Sequence, residues 1–268
     1  MKKTMSVSIF LSLLLFFAIT GCRTSDSDEA PELPPLSSFV MDFSDFIPDE
    51  TPKMTLDNTH LNRNQAIVHI AVWNIITFVH MAVPVATFME AFNHNPTEQS
   101  DGSWLWSYDV QVGLSTYTAK LYGKVSGIEV EWHMYVSKTG AGGFSDFLWY
   151  SGTSHIAGVE GSWTINKMPT EPVPYVGIDW STNSNGTAVT TYTNIVPDGP
   201  ENGGYISHGT TQDVPYNAFY HIYNKGLDNL VEIEWNRITK AGRIRNPHHY
   251  GNSDFHCWNA MGVDIDCP

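Results

Sequence analysis

The stretch Asn64-Gln65-Ala66-Ile67-Val68-His69-Ile70-Ala71-Val72-Trp73-Asn74-Ile75-Ile76-Thr77-Phe78-Val79-His80-Met81-Ala82-Val83-Pro84-Val85-Ala86-Thr87-Phe88-Met89 contains no Asp, Glu, Lys or Arg. It reads as one long apolar helix, and everything after it reads as strand. On a 3.6-residue wheel Asn62, Gln65, His69, His80 and Thr87 fall in a narrow stripe, while Ile67, Ile70, Ile75, Phe78, Val79, Met81, Val85, Phe88 and Met89 cover nearly all the rest. A surface helix is apolar on one side only, so this one is expected to be enclosed: swallowed by the sheet, laid over it as a lid, or set across a membrane. The length meets the ~20 residues that a bilayer span needs, but His69, Asn74, His80 and Pro84 interrupt it and no basic cluster flanks it. Packing against the sheet is the favoured outcome. Asp57, Asn58 and Thr59 are candidate N-caps, Asn93-His94-Asn95-Pro96 ends the run, and Pro84 should kink it by removing a backbone donor and crowding the preceding turn.

Beyond the helix the chain alternates strand-forming runs with turn signals, the mark of a mainly β, antiparallel meander. About ten strands are expected, near 104–112, 116–125, 128–137, 146–152, 160–166, 174–181, 187–195, 204–210, 216–224 and 229–238, with a further one near 242–246. The turns are Ser126-Gly127, Thr139-Gly140-Ala141-Gly142-Gly143, Asn183-Ser184-Asn185-Gly186, Glu201-Asn202-Gly203-Gly204 and Asp228-Asn229. Ile128, Val130, Trp132, Met134 and Val136 share one strand face, opposite Glu129, Glu131, His133 and Tyr135; Val231, Ile233 and Trp235 oppose Glu232, Glu234 and Asn236 in the same way. One face of the sheet is therefore dry and the other wet. Val176-Gly177-Ile178-Asp179-Trp180 follows the same rule of Trp inward and acid outward. Such a meander can close into a barrel or curl into a half-barrel, with the helix packed in or over it. In architecture alone it is similar to the lipid-carrying half-barrels of the lipoprotein-sorting type, or to a can with a helix inside.

The N-terminus carries an address. Lys2 and Lys3 precede the apolar run Ile9 to Ile19, which is too short to span as a mature helix, and Ile19-Thr20-Gly21-Cys22 follows. This resembles the signal peptide and lipobox of bacterial lipoproteins. The resemblance implies removal of residues 1–21, lipidation of Cys22 (thioether lipid and an acyl chain such as palmitate) and anchoring in the cell envelope. The acidic run Asp26-Ser27-Asp28-Glu29 resembles the surface-export tags of Bacteroidetes-type lipoproteins, and Arg23 is not the Asp that resembles an inner-membrane retention signal. Both favour the outer membrane, on its periplasmic or surface face.

Residues 22–57 are rich in Ser, Pro and acid and read as a solvated tether. Within them Phe39, Phe43 and Phe46-Ile47 recur at helical spacing, so a short helix docked on the body is the other reading of that segment. Residues 58–268 are then one helix-plus-β domain. Cleavage of the signal takes the formal net charge from −14 to −16, which repels nucleic acid and anionic head groups, so no nucleic-acid partner is expected. With Cys22 lipidated, Cys257 and Cys267 remain as a pair, expected to form a disulfide outside the cytoplasm.

The chemistry-bearing clusters are few. His248, His249 and His256 stand within nine residues and are weak candidates for a metal, at a spacing that matches no familiar site. Glu129, Glu131 and His133 line one strand face at roughly 7 Å intervals and read as a solvated surface. There is no Gly-x-Ser-x-Gly, His-Glu-x-x-His, phosphate loop or Cys-x-x-Cys, so no cofactor is expected and binding is favoured over catalysis. His69, His80, Trp132 and Trp235 are the candidate pocket residues for an apolar or amphiphilic small molecule, such as a lipid, held between helix and sheet. His69 and His80 are about 16 Å apart along the helix and cannot share a small ligand. The rival readings are a glycan-binding or glycan-cleaving β protein, motivated by nine Trp, twelve Tyr and an acidic surface, and a structural protein whose helix fills the barrel.

Overall fold

The structure, a computed structural model, describes residues 29–46 and 59–267, apart from the side chains of 76–79. One sheet dominates it. Its fourteen strands run in chain order, each antiparallel to its neighbours: β1 (Thr97–Glu98), β2 (Trp104–Val112), β3 (Ser115–Ser126), β4 (Glu129–Lys138), β5 (Phe144–His155), β6 (Glu160–Met168), β7 (Glu171–Thr182), β8 (Ala188–Asn194), β9 (Tyr205–Thr210), β10 (Ala218–Asn224), β11 (Asn229–Trp235), β12 (Gly242–Arg245), β13 (His256–Trp258) and β14 (Asp264–Ile265). β1 and β14 are not paired with each other, so of the two expected forms, barrel or half-barrel, the closed barrel does not form and the sheet is open. The strands missed in the sequence, β1, β13 and β14, are two or three residues long and too short to show alternation.

The inner face is dry because every second residue along the strands is apolar. Trp106, Leu121, Trp132, Met134, Trp163, Ile178, Trp180, Ile206, Tyr220, Val231 and Trp235 belong to one buried cluster. Four of the inward tryptophans have a glycine directly across the ladder: Gly123 faces Trp132, Gly152 faces Trp163, Gly161 faces Trp180 and Gly242 faces Trp258. Each indole lies where the glycine's Cβ would be, with ring carbons 2.4–2.9 Å from that position. Large and small residues thus interlock across neighbouring strands, which is how bulky rings pack on one sheet face without voids.

The apolar run forms two helices instead of one. They are α1 (Leu61–His80) and α2 (Ala82–Ala91), separated at Met81. Pro84 has no N–H to give the carbonyl of His80, and its ring crowds that carbonyl, so the break falls a turn before the proline itself. Among the described residues no helix is long and apolar enough to cross a membrane. α1 packs against β12, β13 and β14, and α2 against β2. Its first turn is capped from the far end of the chain: the Asp264 carboxylate accepts from the backbone N–H groups of Leu61 and Asn62, both at 3.0 Å. Of the caps expected from sequence, Asp57 and Asn58 lie outside the described residues, and Thr59 instead accepts the backbone N–H of Asp264 at 2.8 Å.

Of the two readings of residues 22–57, tether or short docked helix, residues 39–46 are docked on the body, with a 3₁₀ turn and irregular chain in place of the helix. Phe39, Met41, Phe43 and Phe46 are all buried, so the boundary placed at residue 58 does not separate solvated chain from folded body. A 3₁₀ turn at Leu36–Ser38 touches β7, and the chain then crosses the inner face of the sheet. Phe39 stacks on Phe88 (4.8 Å) and Tyr150 (4.6 Å), and Phe46 stands edge-on to Trp235 (4.9 Å). Its carbonyls are satisfied by inward hydroxyls. Tyr192 donates to Phe39 O at 2.8 Å, Thr190 to Ser37 O at 3.1 Å, and Tyr220 to Asp42 O. The Asp45 carboxylate receives the Trp235 indole N–H at 2.8 Å and pairs with Lys240.

At the other end Cys257 and Cys267 form a disulfide with their Cα atoms 5.2 Å apart, tying the tail to β13. A short helix, α3 (Pro247–Tyr250), joins β12 to β13 and is capped by the Asn246 side chain.

Candidate functional site

The helices and the Phe39–Phe46 segment occupy much of the inner face but leave one apolar crevice, of about 250 Å³, between α1 and the ends of β8 to β11. Ile222 and Val231, directly paired on β10 and β11, form its floor. Val72 and Trp73 of α1 form one wall, and Leu227, in the turn between β10 and β11, stands at the rim. Val72 and Leu227 are 54% and 55% exposed, which is costly for aliphatic groups unless something covers them. The polar contribution is small and comes from His69, Asn229, Asn194 and Glu201.

His69 is held in place from both sides. Its Nε2 lies 3.2 Å from the Gln65 side-chain amide and 2.9 Å from the Asn246 amide. The Asn246 side-chain oxygen is occupied by the Asn229 amide at 3.0 Å and by the backbone N–H of His249 at 3.3 Å. The Asn246 nitrogen is therefore free to donate, Nε2 accepts, and the imidazole proton is placed on Nδ1 by the network. Asn229 completes the chain by accepting the His248 N–H at 3.2 Å. Asn246 and Asn229 are both buried, so each amide needs these partners. Burial, and then the nearby His249, hold the His69 imidazole below its ordinary range, leaving it neutral at pH 7. The crevice thus offers an apolar slot whose polar groups are the neutral His69, neighbouring amides and one carboxylate, Glu201. That is the composition of a small-molecule site, and its volume of about 250 Å³ falls just below the usual range of roughly 300–1,000 Å³.

The other residues singled out from sequence lie elsewhere. His80, at the far end of α1, stands edge-on to Tyr175 of β7 with ring centres 5.3 Å apart and does not line the crevice. Trp132 is fully buried, donates to Ser154 Oγ at 2.9 Å and packs beside Trp106. Trp235 is buried between Phe46 and Tyr220 with its N–H on Asp45. Both indoles are core and neither lines the crevice: Trp132 packs beside Trp106 and over Gly123, and Trp235 is covered by Phe46 and Asp45. His256 stacks on the Tyr250 ring at 3.6 Å and His249 stands edge-on to the same ring, while His248 lies on α3. Among the described residues no group of three His, Cys, Asp or Glu is close enough to hold a metal ion. Cys22 lies outside the described residues.

Sequence reading found His69 from the polar stripe, and Val72 and Trp73 adjoin it on the same helix. Asn229, Asn246 and Leu227 gave no signal, since their meeting with α1 depends on contacts between positions well over a hundred residues apart. No family model, curated protein or solved structure matches this chain.

Proposed function

We propose that this protein is a lipid-anchored envelope protein that binds a small apolar or amphiphilic molecule in the crevice between α1 and β8–β11. The observation that carries the reading is the pairing of exposed aliphatic walls, Val72 and Leu227, with the fixed, neutral His69. The apolar part of the ligand would lie on Ile222 and Val231, and its polar end would meet the imidazole and the amides beside it. No nucleic-acid partner is expected of so acidic a chain.

Binding is tested with the neutral fluorophore N-phenyl-1-naphthylamine on the full mature chain. A saturable, single-site signal is expected, weakened at least tenfold by Val72→Glu, which sets a carboxylate in the apolar wall near Glu201. Val72 is exposed, so the variant keeps its fold, and His80→Leu, remote from the crevice, leaves the affinity unchanged. Equal affinity in Val72→Glu and the parent chain would sink the reading.

The anchor rests on Ile19-Thr20-Gly21-Cys22 and its resemblance to a lipobox. Cys22→Ser should abolish incorporation of labelled palmitate and move the protein from the membrane to the soluble fraction. Persistence in the membrane fraction would show that something else holds it there. Ala30 packs against the core, so the seven peptide links from Cys22 to Glu29, which reach at most about 25 Å, would keep the body close to the bilayer.

A further inference from the structure

The outer face of the sheet carries a second constellation that the crevice does not use. On β3 and β4 the outward residues Tyr122 and His133 are direct cross-strand partners, with Tyr135 next along β4. Their rings form a stepped platform: His133 and Tyr135 are 6.5 Å apart and nearly parallel, and Tyr122 stands edge-on to Tyr135 at 6.0 Å. The platform lies in a hollow of about 280 Å³ that also contains Glu131, Lys124 and Asp101. Asp101 is fixed by Ser103, whose hydroxyl donates to it at 2.7 Å.

Polar residues continue across the sheet from Glu131 to a second hollow. Register places Glu131 opposite Thr153, Thr153 opposite Ser162, Ser162 opposite Asp179, and Asp179 opposite Thr191. This row crosses β4 to β8, and from Thr153 to Thr191 it lines a second, open groove of about 490 Å³, together with Glu129, His155 and Glu160. At ~4.8 Å per strand the row from Glu131 to Thr191 is about 19 Å long. Glu129, Glu131, Glu160 and Asp179 form no ion pair with any described residue. The carboxylates along the acid-rich face of β11 differ, since Glu232 and Glu234 are matched by Arg245 and Arg243.

Aromatic faces at one end, a hydroxyl row leading away from them, and unmatched negative charge define a ligand by its chemistry. It presents apolar C–H faces to the rings, many hydroxyls to Thr153, Ser162 and Thr191, and positive charge to the carboxylates. We infer that the outer face of β3–β8 binds an oligosaccharide bearing free amino groups, with one sugar ring on the Tyr122/His133/Tyr135 platform and the chain lying along the Glu131–Thr191 row. An acidic polymer is repelled by the same four carboxylates, and Lys124 alone does not offset them. A neutral glycan can use the platform but gains nothing from the charge.

The test is calorimetric titration of the full mature chain with a hexamer of glucosamine, its fully N-acetylated counterpart, and a hexamer of galacturonate. The glucosamine hexamer should bind, at least tenfold tighter than the N-acetylated one, with an affinity that falls as salt is raised. Tyr122→Ala, Tyr135→Ala and the pair Glu131→Gln with Asp179→Asn should each weaken it at least tenfold. These side chains are partly or fully exposed, and an unchanged melting temperature confirms that the variants fold. Val72→Glu should leave this binding unaltered, which separates it from the crevice. No binding of the glucosamine hexamer, tighter binding of the galacturonate hexamer, or parent-like affinity in Tyr122→Ala and Tyr135→Ala would each overturn the inference.

Discussion

A chain that begins at Thr59 is expected not to fold. Phe39, Phe43 and Phe46 are 0%, 7% and 3% exposed, and they fill the space between the inner face of the sheet and α2 at one end and β10–β13 at the other. Truncating a single buried Phe to Ala costs roughly 3–5 kcal/mol. Loss of all three, at roughly 9–15 kcal/mol, is as large as the whole of the roughly 5–15 kcal/mol by which a typical domain is stable. The polar ledger points the same way: without the segment, the hydroxyls of Tyr192 and Tyr220 and the indole N–H of Trp235 lose their partners in an apolar surface, at about 1–3 kcal/mol each. Near-ultraviolet circular dichroism and a thermal melt of the chain from residue 59 to 268 should show no fixed aromatic environment and no cooperative transition. Phe39→Ala in the full chain is the graded version, with a loss of about 4 kcal/mol by urea denaturation. A cooperative melt of the shortened chain would mean that the inner face closes on itself without the segment.

The same segment shows where sequence reading stops. Its acids, serines and prolines have the composition of a solvated linker, and its apolar residues lack the regular alternation that betrays a strand. Phe39, Phe43 and Phe46 are buried because Phe39 meets Trp163, and Phe43 and Phe46 both meet Tyr220, on a sheet formed by residues far along the chain. The strands themselves were legible, since Val130 to Val136 and Val231 to Trp235 alternate strictly and one solvated face requires that alternation, whereas Ile128, expected on the dry face, precedes β4 and is 66% exposed. The division of the apolar run at Met81 was half legible: Pro84 announces a disturbance, and only the backbone geometry says that it falls a turn earlier. The cap on α1 was not legible at all, because Asp264 comes from the last strand. His69 was marked by its polar stripe, whereas Trp132 and Trp235 looked like pocket residues only because nothing in the sequence placed Ser154 and Asp45 beside their N–H groups. The platform on the outer face needs the register that sets Tyr122 opposite His133, and register follows from strand ends that sequence gives only approximately.

Gly152→Ala should be the most damaging single methyl added to the molecule. A Cβ at Gly152 would lie 2.1 Å from the carbonyl oxygen of Ser162 and 2.6 Å from Cε3 of Trp163. The first neighbour is backbone in the β5–β6 ladder, where Gly152 and Trp163 are direct partners, so it can retreat only by breaking the pairing. The second is pinned, because Trp163 is 1% exposed and wedged among Phe39, Phe88 and Tyr150. With neither neighbour able to yield, the cost should reach about 3 kcal/mol or more, lowering the melting temperature by roughly 10 °C in a domain of this size. Gly177→Ala is the matched control on β7: its nearest contact would be a side-chain methyl of Ile195 at 3.4 Å, so its effect should stay below about 1 kcal/mol. Adding Trp163→Leu to Gly152→Ala separates the two collisions. It frees the ring contact but not the Ser162 carbonyl, and it opens a cavity beside Phe39, so the double variant should be no more stable than Gly152→Ala alone. A double variant that regained the parent's stability would show that the indole alone, and not the close approach of the two strands, is what excludes a side chain at residue 152.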